Sequence, residues 1–343
     1  LITGAAGHVG YDLANLIAHG SMLGKHQPVI LHLFDIPGMV HYLHGLASEL
    51  RDCSLRPLEK VIATTEMSIA FANIDIAIML GSVQIQEGME KKDILGDTLA
   101  LFRAHGEALE RYAKKVVKVV VVAHPANTNA YILSKFAPSI PKNNFSCLLR
   151  LDHNRAIVQA SKDSVLCILS TFSISIAKRL GVSCGAVHNV VVWGCHGNTE
   201  FPDLSHAYVI RGDKKIPVSM ALDNEDWTKN AFLNHIRDKS TTVSVEAMKA
   251  TNASVAARAI VDHVHDWWFG TPEDTWTSMG VYSRGEYGAP NDVIFGFPVT
   301  IKNREPTIVE GLPFNDWGDD KFETTARELM SERQIVLAAC KDE

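Results

Sequence analysis

Short apolar, β-branched runs recur through the first 150 residues, each followed by a stretch with apolar positions three and four apart. The runs predict strands at 1–3, 29–34, 61–63, 75–81 and 117–123, with Phe145–Leu149 as a sixth. Strand and helix patterns taking turns predict a parallel sheet wound with helices on both faces. From about residue 151 the rhythm changes. Asn189–Trp193 reads as a strand, and Ala207–Ile210 with Ile216–Ser219 reads as a hairpin about Gly212-Asp213. One long helical pattern covers 227–268, and a meander with strands at 279–282, 293–302 and 307–310 follows it. An amphipathic helix near 324–340 closes the chain.

The first strand runs straight into glycines three apart, Gly4, Gly7 and Gly10, and an apolar-periodic segment follows at Val9–Ile17. That layout suits a dinucleotide. One glycine makes the tight turn, one lets the backbone approach the pyrophosphate, and one lets helix pack on strand. The second strand ends at Asp35, 25 residues beyond Gly10. A carboxylate there can accept the ribose hydroxyls and repel a 2′-phosphate, which favours NAD over NADP. The plainer alternative is that Asp35 caps the turn begun by Ile36-Pro37. The expected fold class is therefore α/β, with a dinucleotide-binding domain over 1–150 and a mixed α/β catalytic domain over 151–343.

Composition narrows the partners. A net charge of −6 leaves no electrostatic footprint for nucleic acid, and the local run Lys114-Lys115…Lys118 reads as a solvated edge. No uninterrupted apolar stretch approaches the ~20 residues that span a bilayer. The chain begins at Leu1 rather than Met, with a first strand of only Leu1–Thr3, the pattern expected of a truncated N-terminus. Six cysteines without regular spacing fit reduced thiols in a cytoplasmic setting, and no cysteine, histidine or carboxylate cluster shows metal-ligand spacing.

Two segments carry candidate chemistry. Arg150-Leu151-Asp152-His153-Asn154-Arg155 follows an apolar strand, and Trp193-Gly194-Cys195-His196-Gly197 ends one at a histidine between small residues. Oxidising a hydroxy acid needs a base for the hydroxyl proton, an acid group to orient that base, and a guanidinium for the carboxylate. His196 suits the first role, Asp152 the second and Arg155 the third. A salt bridge or a helix cap is the structural alternative for each. Tyr131 and Lys135 also fit a Tyr-x-x-x-Lys dehydrogenase pair, but the serine that chemistry needs upstream is missing between Ser82 and Ser134.

Several further stretches complete a resemblance: Pro125-Ala126-Asn127-Thr128-Asn129, Ala137-Pro138-Ser139-Ile140-Pro141-Lys142, Trp268-Phe269-Gly270-Thr271-Pro272-Glu273 and Phe297-Pro298-Val299-Thr300-Ile301-Lys302. With Gly4–Gly10, Leu151–Ala156 and Trp193–His196 they make the chain, over nearly its whole length, resemble the cytosolic-type members of the malate/lactate dehydrogenase family. The resemblance implies a Rossmann domain with a mixed α/β catalytic domain, NAD, a small 2-hydroxy or 2-oxo acid substrate, a cytoplasmic setting and a homodimer. It implies His196 as proton carrier, Asp152 as its partner, Arg155 as carboxylate clamp, and Asn127 among the cofactor-binding residues.

The departures from the family pattern concentrate at the substrate. In the family's mobile loop, here Val83–Asp93, Ile85 stands where an arginine pairs with the distal carboxylate of malate, and Lys91 where a second polarises the reacting carbonyl. Losing one partner of a buried ion pair costs about 3–5 kcal/mol, and lysine keeps the charge at position 91 without the planar fork. His124 occupies the place of a smaller amide, and Asn252 that of a small hydroxyl residue. Ala160–Ser175 interrupts what would otherwise be one family-like helix, as expected of a surface insertion or an unspliced fragment. Malate dehydrogenase is the leading reading. A dehydrogenase of a monocarboxylic 2-hydroxy acid such as lactate, and a catalytically weak NAD-binding protein, are the alternatives.

Overall fold

A computed structural model of the chain describes residues 1–82, 91–160, 182–222, 225–237 and 253–340. Six strands lie at the expected places: β1 (Ile2–Thr3), β2 (Val29–Phe34), β3 (Leu58–Thr64), β4 (Ile76–Met79), β5 (Lys118–Val121) and β6 (Phe145–Cys147). All pair in parallel, in the order β3-β2-β1-β4-β5-β6. The order reverses between β1 and β4, which opens a crevice at the carboxyl ends of those strands. Helices α1 (His8–Ala18), α2 (Val40–Asp52), α3 (Met67–Ala70), α4 (Lys91–Tyr112) and α5 (Ala126–Phe136) connect them. Two apolar clusters cover the sheet, one including Leu13, Ile17, Leu43 and Leu46, the other Phe71, Phe102, Leu109 and Leu133.

Helix α6 (Arg150–Ala160) opens the second half. The short strands β7 (Val187–His188), β8 (Val191–Trp193), β9 (Phe201–Asp203), β10 (Tyr208–Arg211) and β11 (Lys214–Pro217) follow it. The expected hairpin is β10–β11, antiparallel from Tyr208↔Pro217 to Arg211↔Lys214. The expected meander is β12 (Thr277–Tyr282), β13 (Ile294–Lys302) and β14 (Glu305–Ile308). It extends the sheet of the first half, because β12 pairs antiparallel to β6 at Gly280↔Cys147. Only glycine permits that contact: a Cβ on Gly280 would lie 2.1 Å from Cys147 Sγ.

Three expectations are refined. The helical stretch expected over roughly 227–268 is helical in its described residues, with an i-to-i+5 turn at Thr228–Phe232 before Leu233–Arg237 and, later, Ala253–Phe269. The wider turn lets Trp227 and Phe232, five residues apart, bring their rings to 5.2 Å. The closing helix runs Asp316–Ala339, beginning earlier than its apolar pattern suggests. Asn315 caps it by accepting from Gly318 N. Lys118 is not part of a solvated edge. It is buried in β5, with Nζ donating to Asn144 (2.7 Å) and Glu305 (3.0 Å), whereas Lys114 lies exposed beside Asp75.

Candidate active site

At the crevice the three glycines divide the work as their spacing suggests. Gly4 takes φ +64°, and a Cβ there would sit 2.8 Å from the Gly81 nitrogen, so the ends of β1 and β4 approach only without side chains. Thr3 Oγ1 holds the same approach by accepting from Leu80 N (3.1 Å) and Gly81 N (3.3 Å). Gly7 precedes α1 as its N-cap residue, and a Cβ on it would meet only the Gly4 carbonyl, at 3.4 Å. A Cβ on Gly10 would come within 2.5–2.8 Å of the Ala5 main chain, so this glycine sets how closely α1 packs on β1. Asp35, at the end of β2, accepts from Ala6 N (3.0 Å) through Oδ2 and from Ile36 N (2.8 Å) through Oδ1. It thus braces the glycine turn and caps its own turn together, with its charge beside the α1 N-terminus. A side-chain-free turn before a helix N-terminus, with a carboxylate at the next strand end, fits a dinucleotide without a 2′-phosphate.

Helix α6 sorts its polar residues by face. Arg150 and Asn154, four apart, turn toward the helix Ala253–Phe269. There Arg150 pairs with Asp266 and donates to Thr277 (2.8 Å), while Asn154 donates to Asp262 (3.1 Å). His153 is buried against Ser278, whose hydroxyl accepts from Val192 N (2.8 Å) and so donates to His153 Nδ1 (2.9 Å). Burial holds this histidine well below its usual range, with the Arg150 charge adding to the effect. Asp152 and Arg155, three apart, are left to face the end of β8.

That strand end is held one N–H at a time. Gly194 N donates to Gly296 O (3.1 Å), Cys195 N to Thr325 Oγ1 (3.0 Å) and His196 N to Asn127 Oδ1 (2.9 Å). Gly194, at φ +84°, has Thr325 within 2.2 Å of where a Cβ would stand. β13, the C-terminal helix and α5 thus fix three successive residues. His196 Nδ1 then hydrogen-bonds to Asp152 Oδ2, and Arg155 Nη1 lies 3.6 Å from Asp152 Oδ1. Asp152 is fully buried and His196 nearly so. The His124 ring meets the His196 ring edge to face, with centroids 6.4 Å apart.

His196, Asp152, Arg155 and His124 are therefore together, while Gly4, Gly7, Gly10 and Asp35 gather at the ends of β1 and β2. Asn127, expected at the cofactor, is buried and holds the His196 strand instead, donating also to Gly194 O (3.2 Å) and Ile294 O (2.9 Å). Ile85, Asn252 and the stretch 161–181, which contains most of the expected insertion, lie outside the described residues, and only the main chain of Lys91 is described, at the start of α4. Tyr131 and Lys135 both contact Asp292, at 3.3 and 3.2 Å, in an ion-pair network with Arg333. Glu200 is the residue the sequence reading missed. Its buried carboxylate lies 3.9 Å from His196 Nδ1, and its only signal was a charge four residues past the histidine in an apolar context. Asp152, His196 and Glu200 form a group with ligand-capable atoms within 4.8 Å, which linear spacing concealed.

The lactate/malate dehydrogenase NAD binding domain family matches residues 1–146, and the lactate/malate dehydrogenase alpha/beta C-terminal domain family matches 150–339. A cytoplasmic malate dehydrogenase of Taenia solium is 47% identical over 342 residues, covering 99% of this chain and 98% of that one. The Trichomonas vaginalis lactate dehydrogenase in complex with NADH and oxamate superposes with a TM-score of 0.89 at 33% identity, covering 100% and 98%. The malate dehydrogenase of Naegleria fowleri gives 0.88 at 34% identity, covering 98% and 97%.

Proposed function

The chain belongs to the lactate/malate dehydrogenase family, and on that premise we propose that it is an NAD-dependent dehydrogenase of a 2-hydroxy acid, with malate and oxaloacetate its first substrate pair. The observation that carries the reading is the His196–Asp152 pair with Arg155 beside it, next to His124 just past the carboxyl end of β5. NAD, held by the Gly4–Gly10 turn and Asp35, supplies the hydride acceptor or, reduced, the donor. Asp152 holds Nδ1 and stabilises the imidazolium, so Nε2 is the nitrogen that exchanges a proton with the substrate oxygen. Arg155 clamps the carboxylate next to the reacting carbon through two parallel hydrogen bonds. The buried Asp152, backed by Arg155, keeps the base oriented while charge develops. The sequence offers Lys91 as the point charge for the reacting carbonyl, and His124 narrows the space beside the imidazole.

A monocarboxylic substrate is the second reading. Ile85 in the substrate loop favours it, as does the likeness to a solved lactate dehydrogenase. NADH oxidation by the purified protein with oxaloacetate, pyruvate and a branched 2-oxo acid separates the two. Preference for oxaloacetate upholds malate, and preference for a monocarboxylate makes Ile85 the specificity residue. Tight NADH binding with no turnover on any acid would overturn both in favour of a binding protein. A cytoplasmic setting follows the names of the relatives; no described helix is long and apolar enough to cross a membrane. A homodimer is supported by exposed Tyr11, Tyr42 and Val255 on α1, α2 and the helix Ala253–Phe269, and light scattering tests it.

A further inference from the structure

A second carboxylate faces the imidazole of His196. Glu200 stands just before β9, on the loop that carries His196, and its side chain is fully buried with Oε2 3.9 Å from His196 Nδ1. Asp152, equally buried, approaches the same nitrogen from α6. Two carboxylates in one dry site are costly unless positive charge offsets them. Arg155 faces Asp152 at 3.6 Å. Arg237, at the end of Leu233–Arg237, donates through Nε (2.9 Å) and Nη2 (2.7 Å) to the Glu200 main-chain oxygen. Burial works against the charge of Arg237 and Glu200 restores it, so the two side chains sense each other. The other ionisable groups nearby are His124, edge to face with the ring, and Cys195, whose thiol burial pushes up to about 12 and so keeps neutral. Glu328 of the C-terminal helix reaches Thr199 and Cys195.

We propose that Glu200 is a positioning residue for the catalytic proton: it and Asp152, on different elements, share Nδ1 of His196 and hold the imidazolium. The two differ in how they act. Asp152 makes the hydrogen bond that orients the ring, whereas Glu200, beyond hydrogen-bond reach, acts through its charge. In the reducing direction His196 gives its proton to the carbonyl oxygen and becomes neutral, while the reduced dinucleotide that the Gly4–Gly10 turn would hold would supply the hydride to the carbonyl carbon and be left oxidised. The inference rests on His196 as the proton carrier.

The test replaces the charge and keeps the shape, with Glu200→Gln in the full chain. Diethyl pyrocarbonate acylates only neutral imidazole, so its rate at His196 against pH, read by peptide mass mapping, titrates that one residue without substrate. The midpoint should fall by about one pH unit in the variant. The high-pH limb of kcat/KM for 2-oxo acid reduction should fall with it, and kcat well below both midpoints should stay within about twofold. Glu200→Asp should recover part of the shift. An unchanged midpoint in a variant that melts like the parent overturns the proposal, because Arg237 would then already cancel the Glu200 charge. If Glu200→Gln fails to fold, Arg237→Gln decides: lifting the counter-charge should raise the midpoint, and no change rejects the idea. A shifted midpoint in a protein that reduces no 2-oxo acid upholds Glu200 and sinks the dehydrogenase reading alone.

Discussion

The proposed nucleotide end of the site is made of glycine main chain and one carboxylate, Asp35, from the first 35 residues, with Gly81, just past β4, approaching Gly4. The acid end is made of side chains gathered from α5, α6 and the loop after β8. The first binds by leaving atoms out, since each glycine acts through the Cβ it lacks. The second acts by holding atoms still, since His196 depends on Asn127 at its nitrogen and Asp152 at its ring. Binding and proton transfer should therefore fail separately.

The largest expected effect lies at the acid end. His196→Asn removes the proposed proton carrier, and kcat for 2-oxo acid reduction should fall about 10³-fold. NADH affinity, by fluorescence titration, should stay within about twofold; a parallel loss would break the distinction between the ends.

Acid should weaken both ends through buried neutral histidines. His105, among Phe34, Phe71 and Phe102 at the nucleotide end, is pushed down to about 4 by burial. His263, beneath the acid end against Ser146, is pushed down to about 3, chiefly by burial. Each folded value lies below the unfolded 6.5, so the stability each contributes is complete above about pH 6.5 and is lost as pH falls toward the folded value. For His105 the loss down to pH 4 is about 3 kcal/mol. Urea unfolding across this range should show that slope, and His105→Phe should remove about one proton from it. An equal slope in the variant would place the acid sensitivity elsewhere.

Gly10→Ala should act on the nucleotide end alone. Its Cβ must displace α1 from the Ala5 main chain, costing about 1–3 kcal/mol. NADH affinity should fall about tenfold while kcat at saturating NADH changes less than about twofold, as steady-state kinetics would reveal. The smallest effect belongs to Asp35→Asn. Trading a charged for a neutral acceptor should weaken NADH by about threefold to tenfold and narrow the preference over NADPH, measured as a ratio of kcat/KM values.

The parallel strands and the glycine turn were legible because their causes are local: apolar runs of strand length, and glycines within one turn of each other. The closing helix was misjudged at its start because Gly318 discourages a helix, while the Asn315 cap that offsets it acts through a single side-chain oxygen. Lys118 follows two exposed lysines and so resembles surface; its partners Asn144, just before β6, and Glu305, at the start of β14, are far along the chain. His196, Asp152 and Arg155 were nameable from charge in apolar context and from family resemblance. Asn127 was nameable from the resemblance but not its hold on the His196 strand, and Glu200 was not nameable at all, since an amide and a carboxylate on a linear string do not show what they will face.

Local pattern along the chain is enough for the wound α/β order, the side-chain-free turn and a histidine set between small residues at the end of β8. These follow from periodicity and steric size, which neighbouring residues settle among themselves. Only the tertiary structure decided that Gly296, Thr325 and Asn127 would each take one N–H of the strand leading to His196, and that two buried carboxylates would face its ring. All of those contacts except the one from Glu200, four residues on, join segments dozens of residues apart, and a buried polar group acquires its partner only when packing removes water from both.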